Sequence, residues 1–341
     1  MKTDDLFLNK QRAIADTRAD ELVSYLFKEN LQTALYESLQ LANEKITSAE
    51  LNKEIKIFLL TQRTRPVWYD DKKIERGQHV FKKYALEAMT LLGAYSLPYC
   101  YAASPGNKAL YLSEKMRKSP GKRLAETAQF IITVLTPFNL THNAIGHIQI
   151  NKIRLIHAMA RYYLQLKNNW RSEWGVPINQ EDMAGTNLAF SYIILRGLIE
   201  SGFVLSNKEK EDFLFVWKYI GYQLNIDEEL LPNTFKEAAQ LEQAIKKRHF
   251  RKSEEGVQLT KELVDYYKQT VPAPQSSLIE SQIRYFLGSE TSSLLGLYPE
   301  FTKDKIVRSL NSLKSFINFM YVNPNSYSQM LANQVMLNRK V

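Results

Sequence analysis

Arg154-Leu155-Ile156-His157-Ala158-Met159-Ala160-Arg161 places one histidine between two arginines in an otherwise apolar segment. On a helix Arg154, His157 and Arg161 stand at i, i+3 and i+7 and share a face. That face cannot pack against bare hydrocarbon, because burying two unpartnered guanidinium groups costs too much. Something anionic, polar or metallic must lie opposite.

The rest of the chain also reads as helix. Its 341 residues include only 13 glycines and 11 prolines. Asn-Gly and Asp-Gly hairpin signals are missing, and long stretches are rich in Leu, Ala, Lys, Glu and Gln. With 45% hydrophobic and 24% charged residues the composition is that of a globular protein. No internal repeat or composition shift divides it, so a single all-α domain over residues 1–341 is expected. Pro272-Ala273-Pro274 is the best internal linker.

The single cysteine, Cys100, excludes an internal disulfide and multi-cysteine metal sites, and it suits a reducing compartment. No apolar signal core follows the charged start, and no run approaches the ~20 residues of a spanning helix. The longest apolar candidate, Leu188 to Leu205, is broken by Arg196 and Glu200. A cytoplasmic protein without a transmembrane segment is the expectation. The formal charge is +9. Its sharpest cluster, Lys246-Lys247-Arg248-His249 with Arg251-Lys252, reads as a solvated helix end followed by a loop, and no nucleic-acid partner is expected.

Helices are predicted over 17–45, from Ser48, from Asp70 or Asp71 through Phe81, from Ser119-Pro120 to Pro137, and around His157. Pro98 should kink or restart a helix within the apolar stretch 91–103. Asn179 with Asp182 three residues on forms an N-terminal signature, followed by apolar helix through Ile194. Further helices are expected near 207–224, 233–249, 254–270, 276–296 and 302–323. His142 and His147 flank Gly146 in an expected loop.

Three clusters hold the candidate chemistry. His157 is either a satisfied core histidine or a ligand, and two flanking cations favour the neutral imidazole that binds metals. Its arginines suit carboxylates, whether on neighbouring helices or on the propionates of a haem. Arg123, Glu126 and Thr127 converge on one side of their helix. An Arg–Glu pair with a back-bonded hydroxyl would explain them too. Asp182 is either part of a cap or an anchor for Arg154 or Arg161. No phosphate loop or nucleophile elbow is present, so hydrolases and nucleotide enzymes are poorly supported.

Ordered blocks add a resemblance. They run Pro66-Val67-Trp68-Tyr69-Asp70-Asp71, Arg76-Gly77-Gln78-His79-Val80-Phe81, Arg123-Leu124-Ala125-Glu126-Thr127, and the Arg154/His157/Arg161 helix. Trp174 to Asp182, Thr186, Phe190-Ser191, Trp217-Lys218-Tyr219-Ile220-Gly221 and Leu230-Leu231-Pro232 follow. Together, over residues 60–235, they resemble the MpaB-like oxygenase family, which includes the bacterial latex-clearing proteins (rubber oxygenases). The resemblance implies a globin-related core holding one haem b, with residues 1–59 and 236–341 as additional helices. It implies His157 as the iron ligand, Arg154 and Arg161 beside the cofactor, and Arg123, Glu126 and Thr127 as catalytic residues on the distal side.

The implied reaction is dioxygen-dependent cleavage of carbon–carbon double bonds in a hydrophobic, isoprenoid-like or lipid-like substrate. The alternative is a non-catalytic helical haem- or lipid-binding protein. A third reading is an interaction module with a basic surface. Some latex-clearing proteins place an iron-capping lysine where this chain has Glu126. A carboxylate is a poor cap, and this departure speaks against polyisoprene itself, as does the expected cytoplasmic location. Oligomeric state is left open.

Overall fold

The computed structural model describes residues 1–113, 119–143, 145–166, 170–270 and 276–309. The chain begins with α1 (Asp5–Gln11), α2 (Thr17–Lys28), α3 (Gln32–Gln40), α4 (Lys53–Leu60) and α5 (Asp71–Lys83). Next come α6 (Ala85–Leu91), α7 (Leu97–Tyr101), α8 (Asn107–Leu112), α9 (Pro120–Leu135) and α10 (Ile145–Leu166). The remainder comprises α11 (Gln180–Phe190), α12 (Tyr192–Glu200), α13 (Asn207–Gln223), α14 (Phe235–His249), α15 (Glu254–Thr270), α16 (Ile279–Leu294) and α17 (Phe301–Ser309). Among the described residues there is no β-strand, only an isolated bridge between Ala103 and Phe250, and the fold is all-α. None of these helices is long and apolar enough to cross a membrane. The Pro272–Pro274 linker and the end of the helix expected at 302–323 lie outside the described residues.

Expected starts coincide with real caps. Asp70 accepts from the Lys73 N–H at 3.0 Å, and Asn179 from the Asp182 N–H at 3.0 Å. Other boundaries move for local reasons. The long helix expected from residue 17 divides at Asn30, whose φ of 59° is left-handed. The N–H groups of Asn30 and Leu31 return to the carbonyls of Phe27 and Leu26, closing α2. The following helix starts at Lys53 because Asn52 caps it, while the Ser48 hydroxyl turns back to the Lys45 carbonyl. Ser191, at φ −115° and ψ −78°, separates α11 from α12 where one helix was expected.

Between α6 and α7 the chain forms a π turn, Leu92–Ser96, just before Pro98. In a regular helix the proline ring would press on the Ala94 carbonyl, and the wider turn gives that carbonyl room. His147 is within α10 rather than in a loop, buried, with Nε2 2.9 Å from the Tyr219 hydroxyl.

Helix α10 runs between two apolar bodies. On one side α2 and α4 cover it with a cluster that includes Val23, Leu26, Ile55, Leu59, Leu155 and Ala158. On the other side α9 joins the main core. The main core also holds the close pair α5 and α13. Gly77 permits their approach, since a Cβ there would sit 2.2 Å from the Asp212 carbonyl oxygen.

Candidate active site

Helices α7, α9, α10, α11 and α14 enclose a cavity of about 1600 Å³. Its walls are chiefly apolar, with Phe130, Ile132, Ile153, Ile156 and Phe190 among the lining residues. Of the neighbouring core residues Phe130, Ile131 and Ile132, only Ile131 does not line the space.

His157 projects from α10 into this cavity, half-buried. Burial, then the charges of Arg161 and Arg123, push its pKa down to about 3, so the imidazole is neutral at pH 7. Neither ring nitrogen of His157 has a hydrogen-bond partner among the described residues. A neutral, unpartnered imidazole in a cavity keeps a lone pair available for a metal.

The flanking arginines face elsewhere. Arg154 makes a bidentate pair with Asp16 on the approach to α2, Nε to Oδ2 at 2.6 Å and Nη2 to Oδ1 at 3.0 Å. Arg161 Nε reaches Asp20 Oδ1 at 2.7 Å. Neither arginine lines the cavity. The anionic partners demanded by the sequence are therefore met by carboxylates of the protein, Asp16 and Asp20. The shared face is wide enough that the arginines flank α2 while the imidazole clears its edge.

On α9, Arg123 and Thr127 both line the cavity. Arg123 Nη1 donates to Thr127 Oγ1 at 2.7 Å, and that hydroxyl donates to the Arg123 carbonyl at 3.0 Å. The hydroxyl is back-bonded as helix geometry suggests, but no Arg123–Glu126 pair forms. Glu126 is exposed at the cavity's edge and has no ion pair among the described residues.

Two polar clusters were missed in the sequence. Glu181, wholly buried, receives Arg248 at 2.7 Å, His249 at 2.9 Å and Arg12 at 3.3 Å. Those contacts and charges outweigh desolvation and hold its carboxyl below the usual range. Asp182 takes Arg12 at 3.0 Å and Asn179 at 2.8 Å, not Arg154 or Arg161. Arg248 and His249 are thus folded inward, which corrects the solvated reading of that basic cluster, while Lys246 pairs with Glu290 at the surface.

The second cluster joins Tyr99 of α7, Arg196 of α12 and Glu242 of α14. The Tyr99 hydroxyl donates to Glu242 Oε1, and Arg196 Nη1 lies 3.6 Å from the same oxygen. Burial pushes Glu242 up to about 7. Its signal was available: Ala238, Leu241, Glu242, Ile245 and His249 form the buried stripe of α14, so two titratable residues interrupt an apolar face.

Among the described residues no group of three or more His, Cys, Asp or Glu could hold a metal ion. A bare ion needs several protein ligands, whereas an iron porphyrin brings four nitrogens and asks the protein for one. The lone imidazole of His157 fits that requirement. The cavity also exceeds the roughly 300–1,000 Å³ of ordinary small-molecule pockets.

Comparison with known proteins agrees with this architecture. Residues 83–314 match the family model described as ER-bound oxygenase mpaB/B′/rubber oxygenase, catalytic domain. A rubber oxygenase from Streptomyces sp. (strain K30) is 24% identical over 270 residues, covering 78% of this chain. The match covers 66% of that relative's own length, just under two thirds. A structure of latex clearing protein in the closed state superposes with a TM-score of 0.77 at 21% identity, covering 97% of this chain and 91% of that one. At that identity the likeness is one of fold.

Proposed function

The chain belongs to the ER-bound oxygenase mpaB/B′/rubber oxygenase family, and from that premise we propose that it is a haem b oxygenase acting with dioxygen on double bonds of a hydrophobic, isoprenoid-like substrate. The observation that carries the haem assignment is His157, a half-buried neutral imidazole with both ring nitrogens unpartnered in a large, mostly apolar cavity. His157 would bind the iron through one ring nitrogen. A bound haem would supply the oxygen chemistry, which no side chain provides by itself.

The protein's own part is positioning and exclusion. Phe130, Ile132 and Ile156 offer a dry surface to a hydrocarbon chain and keep water out. Arg123, fixed by Thr127, holds a positive charge at the same cavity. Such a preorganised cation stabilises negative charge without reorganising during reaction. Glu126, exposed at the edge, is available to accept a proton or orient a water there.

The test is the visible spectrum of the purified protein together with dioxygen uptake on unsaturated isoprenoids. A Soret band and substrate-dependent uptake are expected. A protein that takes up no haem on reconstitution refutes the cofactor assignment. Stoichiometric haem without oxygen consumption across a panel of such substrates selects the non-catalytic binder instead.

A further inference from the structure

We infer that Glu242 and Tyr99 form a hydrogen-bonding subsite in the cavity wall, built for an apolar chain that ends in a hydroxyl group. The inference rests on the proposed reading of the cavity as the substrate site and names the class of substrate it takes.

Both side chains line the cavity, and Glu242 is only 6% exposed. Tyr99 donates to Oε1, while Oε2 receives no hydrogen bond among the described residues. Leu97, Ile193, Ile245 and Phe250 line the same cavity, and the Phe250 ring stands 4.6 Å from that of Tyr99. A wall meant only for hydrocarbon would be cheaper with leucine at this position, since burying a carboxyl with an unused acceptor is costly. A ligand hydroxyl donating to Oε2 removes that cost.

The nearest cation does not convert the site into one for anions. Arg196 is turned to the Tyr95 hydroxyl, with Nε at 2.7 Å. Glu181 and Asp182 line the cavity as well and already engage Arg12, Arg248 and His249, so those cations serve the protein's own carboxylates rather than a carboxylate ligand beside Glu242. A pure hydrocarbon would leave Oε2 unsatisfied. The hydroxyl is the end group that suits both conditions.

The experiment compares geranylgeraniol, the hydrocarbon lacking its hydroxyl, and geranylgeranoic acid. Binding to the purified holoprotein is measured by equilibrium dialysis, alongside dioxygen uptake. The alcohol should bind about tenfold tighter than either analogue, the worth of one hydrogen bond to an ionisable group. Glu242→Leu should bring alcohol and hydrocarbon to equal affinity, and Glu242→Gln, which keeps an acceptor oxygen, should retain most of the preference. Equal binding of alcohol and hydrocarbon by the unmodified protein overturns the subsite, as does an undiminished preference in Glu242→Leu. Should that variant fail to fold, the unmodified protein's ranking and Glu242→Gln decide the matter. Hydrocarbon-driven uptake without alcohol preference sinks the subsite alone. Binding of none of the three, with no uptake, sinks the cavity reading too.

Discussion

The two sides of α10 use similar residues to opposite ends. Toward α2, Arg154 and Arg161 are buried and each meets a carboxylate, Asp16 or Asp20, at close range. Toward the cavity, His157 is half-buried and has no hydrogen-bond partner among the described residues. On the first side each charge has a carboxylate partner, although Arg161 Nη2 keeps no hydrogen bond among the described residues, and the pairs fix the helix against the N-terminal layer. The second is open, and its polar group keeps its bonding capacity. Function is to be sought where a buried polar group has been left incomplete, not where charge is densest.

Exchanging the sides' substitutions gives the sharpest test. Replacing His157 with Ala should abolish stoichiometric haem binding, read as loss of the Soret band after reconstitution, while the urea midpoint of the haem-free protein stays nearly constant. A normal Soret band in this variant would move the ligand elsewhere and dissolve the contrast. Arg154→Ala should do the reverse. It leaves Asp16 buried without its partner and should cost about 3–5 kcal/mol in urea unfolding, with the haem spectrum of the folded fraction retained. Loss of the spectrum without loss of stability would return Arg154 to the cofactor.

A third test concerns the other histidine of this helix, which is buried with Nε2 on the Tyr219 hydroxyl and Nδ1 without a partner among the described residues. His147 is pushed down to about 4, by burial and then by Arg65, from an ordinary value near 6.5. Its folded pKa lies below its unfolded one, so the unfolded state binds the extra proton first. The stability present above about 6.5 is therefore lost as pH falls toward about 4. The acid slope should decrease in His147→Gln by up to about 1.4 kcal/mol per pH unit within that window. An unchanged slope would show that this histidine is not held neutral. The smallest effect is expected at Thr127→Val, which releases Arg123 but removes only one hydroxyl. It should cost about 1 kcal/mol or less in unfolding while lowering kcat for dioxygen uptake more than it alters KM. Equal changes in both would make Thr127 a structural residue only.

The all-α class was legible because period and punctuation agree along the chain: few glycines and prolines, with caps such as Asp70 and Asn179 at their expected places. What escaped was decided by tertiary partners. Nothing local separates an arginine that meets Asp16 from one that meets a cofactor, because the two residues of the pair are far apart in sequence. The basic run at 246–252 looked solvated for the same reason, as Glu181, which draws Arg248 and His249 inward, belongs to another helix. Asn30 could have been read as a helix stop, since asparagine tolerates the left-handed conformation, but the leucine pattern continued through it.

The π turn at Leu92–Ser96 sets the phase of one cavity wall. A π turn takes up more residues than an α turn, so everything beyond it is rotated relative to an uninterrupted helix, by about 100° for each residue gained. Leu97, Tyr99, Cys100 and Tyr101 face the cavity in that rotated frame. The lining of this wall thus depends on how many residues precede it as well as on which residues compose it. A one-residue deletion upstream could recompose the pocket without touching a single residue that lines it.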